Sequence, residues 1–139
     1  MRQLSVLFVF VFSLLINGCN SSSDKNDSPF KKGKEVKGSV VTVIDGDTYD
    51  LLVNGNQTIR IRMEGIDAPE RGMPFYKKAK KYLGSLCIDQ EIKIKITGKD
   101  KYDRILAYSY LNDGRELSEE MIKAGLAWHY KKYNSNKTL

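Results

Sequence analysis

Hydrophobic and polar positions repeat with two different periods along this chain. Val36 to Ile44 is rich in β-branched residues and reads as a strand. Asp45-Gly46 is a hairpin turn signal, and Thr48 to Val53 reads as the return strand. Asn54-Gly55 is a second turn signal. Beyond it Ile59, Ile61 and Met63 alternate with Arg60, Arg62 and Glu64, so Gln57 to Glu64 forms a third strand with Arg62 on its polar face. From Phe75 to Ile88 the period lengthens. Ala79, Leu83, Leu86 and Cys87 share one helical face, and Lys77, Lys78, Lys80 and Lys81 lie on the other. Ile92, Ile94 and Ile96 then alternate with Lys93 and Lys95 as a fourth strand, and Arg104 to Leu111 is a fifth. Leu117 to Leu126 reads as a short helix, with Ser118 as N-cap, Glu119 and Glu120 in its first turn and Gly125 at its end. Three strands, a helix, two strands and a helix predict an α+β domain built on a small closed five-stranded barrel.

The first residues do not fit that domain. Arg2 precedes an apolar run from Leu4 to Ile16, interrupted only by Ser5 and Ser13. A helix of that length spans roughly 20 Å against a hydrocarbon core of ~30 Å, which argues for a signal-peptide core rather than a membrane span. The run ends in Leu15-Ile16-Asn17-Gly18-Cys19 and is followed by Asn20-Ser21-Ser22-Ser23. This resembles a bacterial lipobox, which implies that Cys19 is lipidated and becomes the mature N-terminus. Residues 1–18 are then a lipoprotein signal peptide, 19–35 a flexible tether, and 36–139 the domain. The expected location is an exported protein held on a bacterial membrane by its lipid.

Composition changes the picture in three ways. Removing Arg2 leaves 22 basic and 17 acidic side chains, a net charge of +5, which favours a polyanion or an anionic surface as partner. With Cys19 lipidated, Cys87 is the remaining thiol and no internal disulfide can form; its place on the apolar helix face assigns it to the core. The single histidine, His129, excludes mechanisms that need two and argues against His-rich zinc sites. No serine elbow, Walker loop or dinucleotide fingerprint is present, and Tyr49 breaks any EF-hand reading of Asp45-Gly46-Asp47.

Carboxylates and arginines remain. Gly65 ends the third strand and Pro69 stiffens the segment that carries Asp67 and Glu70. Taken alone, Arg62 to Glu70 suits a hard metal ion and a phosphate, and equally a solvated strand end with an incidental ion pair. Asp47 starts the second strand, and Asp100-Lys101-Tyr102-Asp103-Arg104 leads into the fifth. At one barrel mouth, Asp47 and Asp67 would offer oxygen ligands to Ca²⁺ or Mg²⁺. Arg62 and Arg104 would clamp a phosphate, and Glu70 would orient or deprotonate water. Those are the parts of a phosphodiester hydrolase.

Ile44-Asp45-Gly46-Asp47-Thr48, Arg62 with Asp67-Ala68-Pro69-Glu70, Asp100 to Arg104, and Ala124-Gly125-Leu126-Ala127 resemble, in order and spacing, the motifs of the staphylococcal nuclease (thermonuclease) family. The resemblance covers roughly residues 36–133. It implies an OB-type five-stranded barrel and a calcium-dependent nuclease acting on DNA and RNA, working as a monomer. It puts Asp47, Asp67 and the backbone carbonyl of Ala68 on the metal. It makes Glu70 the water-activating carboxylate, Arg62 and Arg104 the catalytic arginines, and Lys101 and Tyr102 substrate-binding residues. Three departures stand out. Ala68 replaces a common threonine, and Asp103 replaces a common glycine where its charge can compete for Arg104. The sequence also stops at Leu139, so the family's C-terminal helix is expected to be missing. The alternative function is a non-catalytic nucleic-acid-binding or structural lipoprotein on the same fold.

Overall fold

A computed structural model describes residues 29–130. The signal segment, Cys19 and most of the tether lie outside the described residues. Among the described residues, seven strands and two helices occur in the order β1 (Glu35–Val43), β2 (Thr48–Val53), β3 (Gln57–Met63), β4 (Ile66–Asp67), α1 (Tyr76–Cys87), β5 (Glu91–Lys99), β6 (Ile105–Tyr110), α2 (Leu117–Lys123) and β7 (Trp128–His129). Five strands close a barrel in the order β1-β2-β3-β6-β5. Its pairings are antiparallel except β3 with β6, where Ile61, Arg62 and Met63 run parallel to Ile105, Leu106 and Ala107. That single parallel seam places the end of β3 beside the start of β6, so the Arg62 and Arg104 regions become neighbours.

The alternation forms these strands because every second side chain fills the barrel. Ile59, Ile61 and Met63 are buried from β3, Ile92, Ile94 and Ile96 from β5, and Ile105 and Ala107 from β6. The fully buried Tyr49 would strand a hydroxyl there, but its oxygen is 2.7 Å from Ser109 Oγ. At the β2–β3 turn Asn54 and Gly55 carry φ of 53° and 72°, the pair of positive values that a type I′ turn demands. Helix α1 buries Ala79, Leu83 and Cys87 against the barrel, as its sequence period predicts.

The fold departs from the sequence expectations in four places. The second helix starts at Leu117 as expected, but its N-cap is the extended Glu116, with no side-chain capping bond, and not Ser118. Leu117 and Met121 are both fully buried, one turn apart, and they seat the first turn on the barrel. Ser118 therefore lies inside the helix, where its hydroxyl donates to the Glu64 carbonyl at 3.3 Å. The same helix ends at Lys123 rather than Leu126, because Gly125 N–H donates to the Ile122 carbonyl and Leu126 N–H to the Met121 carbonyl, a Schellman closure. Residues 29–34, counted with the tether, lie against the barrel. Phe30 packs on the core and Gly33 N–H donates to the Ile96 carbonyl at 2.8 Å. Finally, β4 and β7 form a separate two-stranded pairing, Ile66 opposite His129 and Asp67 opposite Trp128. Two-residue strands leave no periodicity to read.

Candidate active site at the barrel mouth

The Asp47 loop is set by a close approach. Gly46 passes where a Cβ would lie 2.7 Å from the Ala68 Cβ and 2.8 Å from the Ala79 Cβ, so only glycine fits between the β4 segment and α1. Ala68, buried itself, contributes its small size to that fit. Asp47 N–H donates to Asp45 Oδ1 at 3.0 Å, an Asx turn that points the next carboxylate inward. Asp47 is then buried, with Oδ1 accepting from the Thr48 hydroxyl at 2.9 Å and Oδ2 from the Ala68 N–H at 2.8 Å. Burial pushes its carboxyl up to about 7, against the pull of Arg62 and with the push of Asp45.

Arg62 does not leave β3 into solvent as its strand face predicts. The Gly65 corner folds over it, and its side chain is 16% exposed. Nη1 donates to the Ile66 carbonyl at 2.9 Å and the Met63 carbonyl at 3.2 Å, and lies 3.2 Å from Asp47 Oδ2. Nη2 donates to Asp67 Oδ1 at 2.9 Å. One guanidinium thus ties the two carboxylates assigned to a metal. Asp67 is held in β4, not on a free loop, by the β7 pairing and by Tyr130 N–H donating to the Gly65 carbonyl at 2.8 Å.

Glu70 follows on an exposed turn, and its carboxylate pairs with none of the described side chains. Across the mouth, Arg104 Nε donates to Asp100 Oδ2 at 2.7 Å, while Asp100 Oδ1 accepts from the backbone N–H groups of Tyr102 and Arg104. Burial pulls the Asp100 carboxyl upward, but the hydrogen bonds from Arg104 and Tyr102 together outweigh it and hold the group below the usual carboxylate range. The expected rival for Arg104 was Asp103. That residue turns away at a φ of 62° and takes Lys99 at 2.8 Å instead. Asp100 is the anchor that sequence reasoning missed; its signal is an Asp four residues before an Arg across a tight turn. Tyr102 is exposed, with Lys101 Nζ 5.0 Å and the Arg104 guanidinium 5.5 Å from its ring centroid.

These groups meet in one groove of about 680 Å³, whose walls include Arg62, Asp67, Glu70, Lys101, Tyr102 and Arg104. Asp47 joins it from beneath through Arg62. The resemblance implies Ca²⁺, and the donors suit a hard cation: two carboxylates with a neighbouring backbone carbonyl, all oxygen. A buried carboxylate pushed up toward 7 is an anion short of positive charge, which a divalent ion supplies. Among the described residues no three or more His, Cys, Asp or Glu side chains gather, so Asp47 and Asp67 would hold such an ion with backbone oxygen and water.

The pattern of the family described as "Staphylococcal nuclease homologue" matches residues 60–139. That segment holds Arg62, Asp67, Glu70 and Arg104, and Asp47 lies ahead of it. An "Uncharacterized endonuclease" of Haemophilus influenzae is 41% identical over 95 residues, covering 68% of this chain and 53% of the relative. A "Micrococcal nuclease" of Shigella flexneri is 36% identical over 107 residues, covering 71% of this chain and 61% of the relative. An "Uncharacterized endonuclease" of Escherichia coli is 33% identical over 105 residues, covering 76% of this chain and 68% of the relative. The chain spans between about half and two thirds of the length of these curated relatives. With the barrel, the two helices and the matched segment in agreement, the chain belongs to the staphylococcal nuclease family.

Proposed function

We propose that this protein hydrolyses phosphodiester bonds of DNA or RNA at the barrel-mouth groove, with Ca²⁺ as cofactor. The observation that carries the reading is the convergence of Arg62, Asp67, Glu70 and Arg104 on one groove, with Asp47 ion-paired beneath it. A bound divalent ion would polarise the phosphoryl oxygens, and Asp47, Asp67 and the Ala68 carbonyl would hold it. Arg104, fixed by Asp100, presents its remaining guanidinium donors to the phosphate, where negative charge grows as water attacks. Arg62 is shared between Asp47 and Asp67. With Asp47 and Asp67 engaged as metal ligands, the Arg62 donors would be available to the phosphate. Glu70, unpaired and exposed, is free to accept a proton from the attacking water. Lys101 and Tyr102 offer a cation and a ring face to the neighbouring nucleotide.

The test is incubation of the full chain with single-stranded DNA. Cleavage is expected with Ca²⁺ and is lost with EDTA or in Glu70→Gln. A folded protein that binds the strand but cuts it under neither condition overturns the hydrolase reading in favour of a binding protein. Lipidation of Cys19, and with it a membrane location, is a separate proposal resting on the lipobox resemblance. A mature N-terminus other than an acylated Cys19, read by mass spectrometry of the exported protein, overturns it.

A further inference from the structure

Between Glu70 and α1 the chain makes a short turn that the groove does not use. Met73 N–H donates to the Glu70 carbonyl at 2.9 Å, and Tyr76 N–H donates back to the Met73 carbonyl at 3.3 Å. The Tyr76 hydroxyl donates to the Ile44 carbonyl at 3.2 Å, pinning this turn to the loop that carries Asp47. The turn displays Met73, 51% exposed, and Phe75, 66% exposed. Together with Lys77 and Lys78 they line a shallow depression of about 470 Å³, beside the main groove.

Phe75 is there at a conformational cost. Its φ is 65°, a left-handed value that bulky residues avoid, and it makes no side-chain capping bond at the helix start it occupies. A glycine at this position would relieve the strain and expose less apolar surface. Nothing in the core accounts for the ring, which stands in solvent with Lys78 Nζ 6.0 Å from its centroid.

Positive charge is also grouped at this place. Lys37 and Lys93 are matched by Glu91 and Glu35, Lys99 by Asp103, and Lys123 by Glu119 and Glu120. Arg71, Lys77, Lys78, Lys80 and Lys81 form no ion pair among the described residues. Among the described residues nine lysines and arginines form no ion pair; four of them, Lys32, Lys34, Lys95 and Lys101, lie elsewhere, and the other five are grouped on the turn and α1 beside the exposed ring.

We propose that the Met73–Phe75 turn is a second nucleic-acid subsite. There a base of single-stranded DNA or RNA, a few nucleotides from the bond held in the main groove, stacks on Phe75 while Lys77 and Lys78 take its flanking phosphates. The inference rests on the proposed nucleic-acid substrate. A flat aromatic among unpaired cations suits a strand whose bases are free to stack, with little preference for sequence. Continuity with Glu70 distinguishes this occupant from a lipid surface, which would need no link to the groove.

The experiment is fluorescence anisotropy with a labelled ten-nucleotide oligothymidylate in EDTA, which reads binding without cleavage. The variants are Phe75→Gly and Phe75→Trp in the full chain. Phe75→Gly is expected to weaken binding roughly 5- to 100-fold, with the melting temperature unchanged or raised, and Phe75→Trp to bind like the parent. A dinucleotide, too short to reach the turn, is expected to bind parent and Phe75→Gly alike. Equal affinity of parent and Phe75→Gly for the long strand overturns the proposal. So does loss of affinity only for anionic phosphatidylglycerol vesicles, or a fall in melting temperature that tracks the binding loss. A parent that binds the strand through Phe75 and does not cut it with Ca²⁺ overturns the hydrolase reading and leaves this subsite standing.

Discussion

The Arg62 guanidinium lies 3.2 Å from the Asp47 carboxylate, and the two side chains are only 16% and 8% exposed. Burial still wins over that attraction, leaving the Asp47 carboxyl at about 7. An acid whose folded value lies above its unfolded value binds more protons in the folded state. Stability of the metal-free protein is then lost as pH rises between about 4 and 7. Asp47→Asn removes the buried charge and is expected to stabilise the metal-free protein at pH 8 by about 1–2 kcal/mol, while abolishing cleavage. Urea unfolding at pH 5 and pH 8 checks it; a variant less stable than the parent at pH 8 contradicts the assignment. Ca²⁺ should raise the melting temperature of the parent and leave the variant unmoved.

Arg62 and Glu70 separate folding from chemistry. Arg62→Ala pushes the Asp47 carboxyl still higher, so it takes up a proton at neutral pH, and it leaves the Met63 and Ile66 carbonyls and Asp67 without their donor; it should cost about 1–3 kcal/mol in the metal-free protein. Glu70→Gln changes an exposed, unpaired group, so its melting temperature should match the parent while its turnover falls by about 10²-fold or more. Paired melts and kcat measurements distinguish the two; a destabilised Glu70→Gln would mean a structural role for that side chain.

Asp100 touches no reacting atom in the proposed site and acts through Arg104, which makes it a positioning residue. Asp100→Asn keeps the backbone hydrogen bonds to Tyr102 and Arg104 within reach but weakens the 2.7 Å charge-assisted bond to Nε. The expected result is a fall in kcat of about tenfold with KM little changed. A change confined to KM would place Asp100 in substrate binding instead.

Gly46→Ala drives a methyl group into two backbone-anchored methyls at 2.7 and 2.8 Å. Neither Ala68 nor Ala79 has a torsion that could move aside, so the Asp47 loop must shift. We expect a loss of about 1–3 kcal/mol and weakened Ca²⁺ affinity, read by melts across a Ca²⁺ titration. Normal affinity in Gly46→Ala would show that the loop position does not matter to the metal.

Cys87 gives an internal probe of opening. It is fully buried, its Sγ 3.1 Å from the Leu83 carbonyl, and burial pushes its thiol up to about 12. Iodoacetamide at pH 8 should label it only through unfolding of α1, so the labelling rate should rise steeply with urea. Rapid labelling without denaturant would contradict the packing of this helix.

The barrel was legible because β3 and most of β5 alternate with period two, β1 is rich in β-branched residues, and its turns carry Asp-Gly and Asn-Gly. Arg62 and Arg104 were legible for a similar reason: one lies at the end of patterned β3 and the other just ahead of patterned β6, while Asp67 and Glu70 follow β3 within a few residues and are carried to the same mouth. What escaped was decided by contacts distant in sequence. Nothing local to Ser118 says that Leu117 and Met121 will be pulled onto the barrel and leave Ser118 inside the first turn instead of at the cap. Nothing local to Arg62 says that the Gly65 corner will fold over it. The Asp100 clamp escaped because a loop carboxylate beside an arginine is common, and its burial becomes visible only once β5 and β6 are paired.

The β4–β7 pairing has a consequence in time. Asp67 gains its strand partner only when Trp128 has been made, about sixty residues after it. A chain growing from its N-terminus can close β1, β2 and β3 early, yet its acidic corner waits for nearly the last described residues before it is set. Synthesis from one end therefore orders the events: the β1–β3 wall can be raised first, and the acidic corner is fitted only after β7 is made.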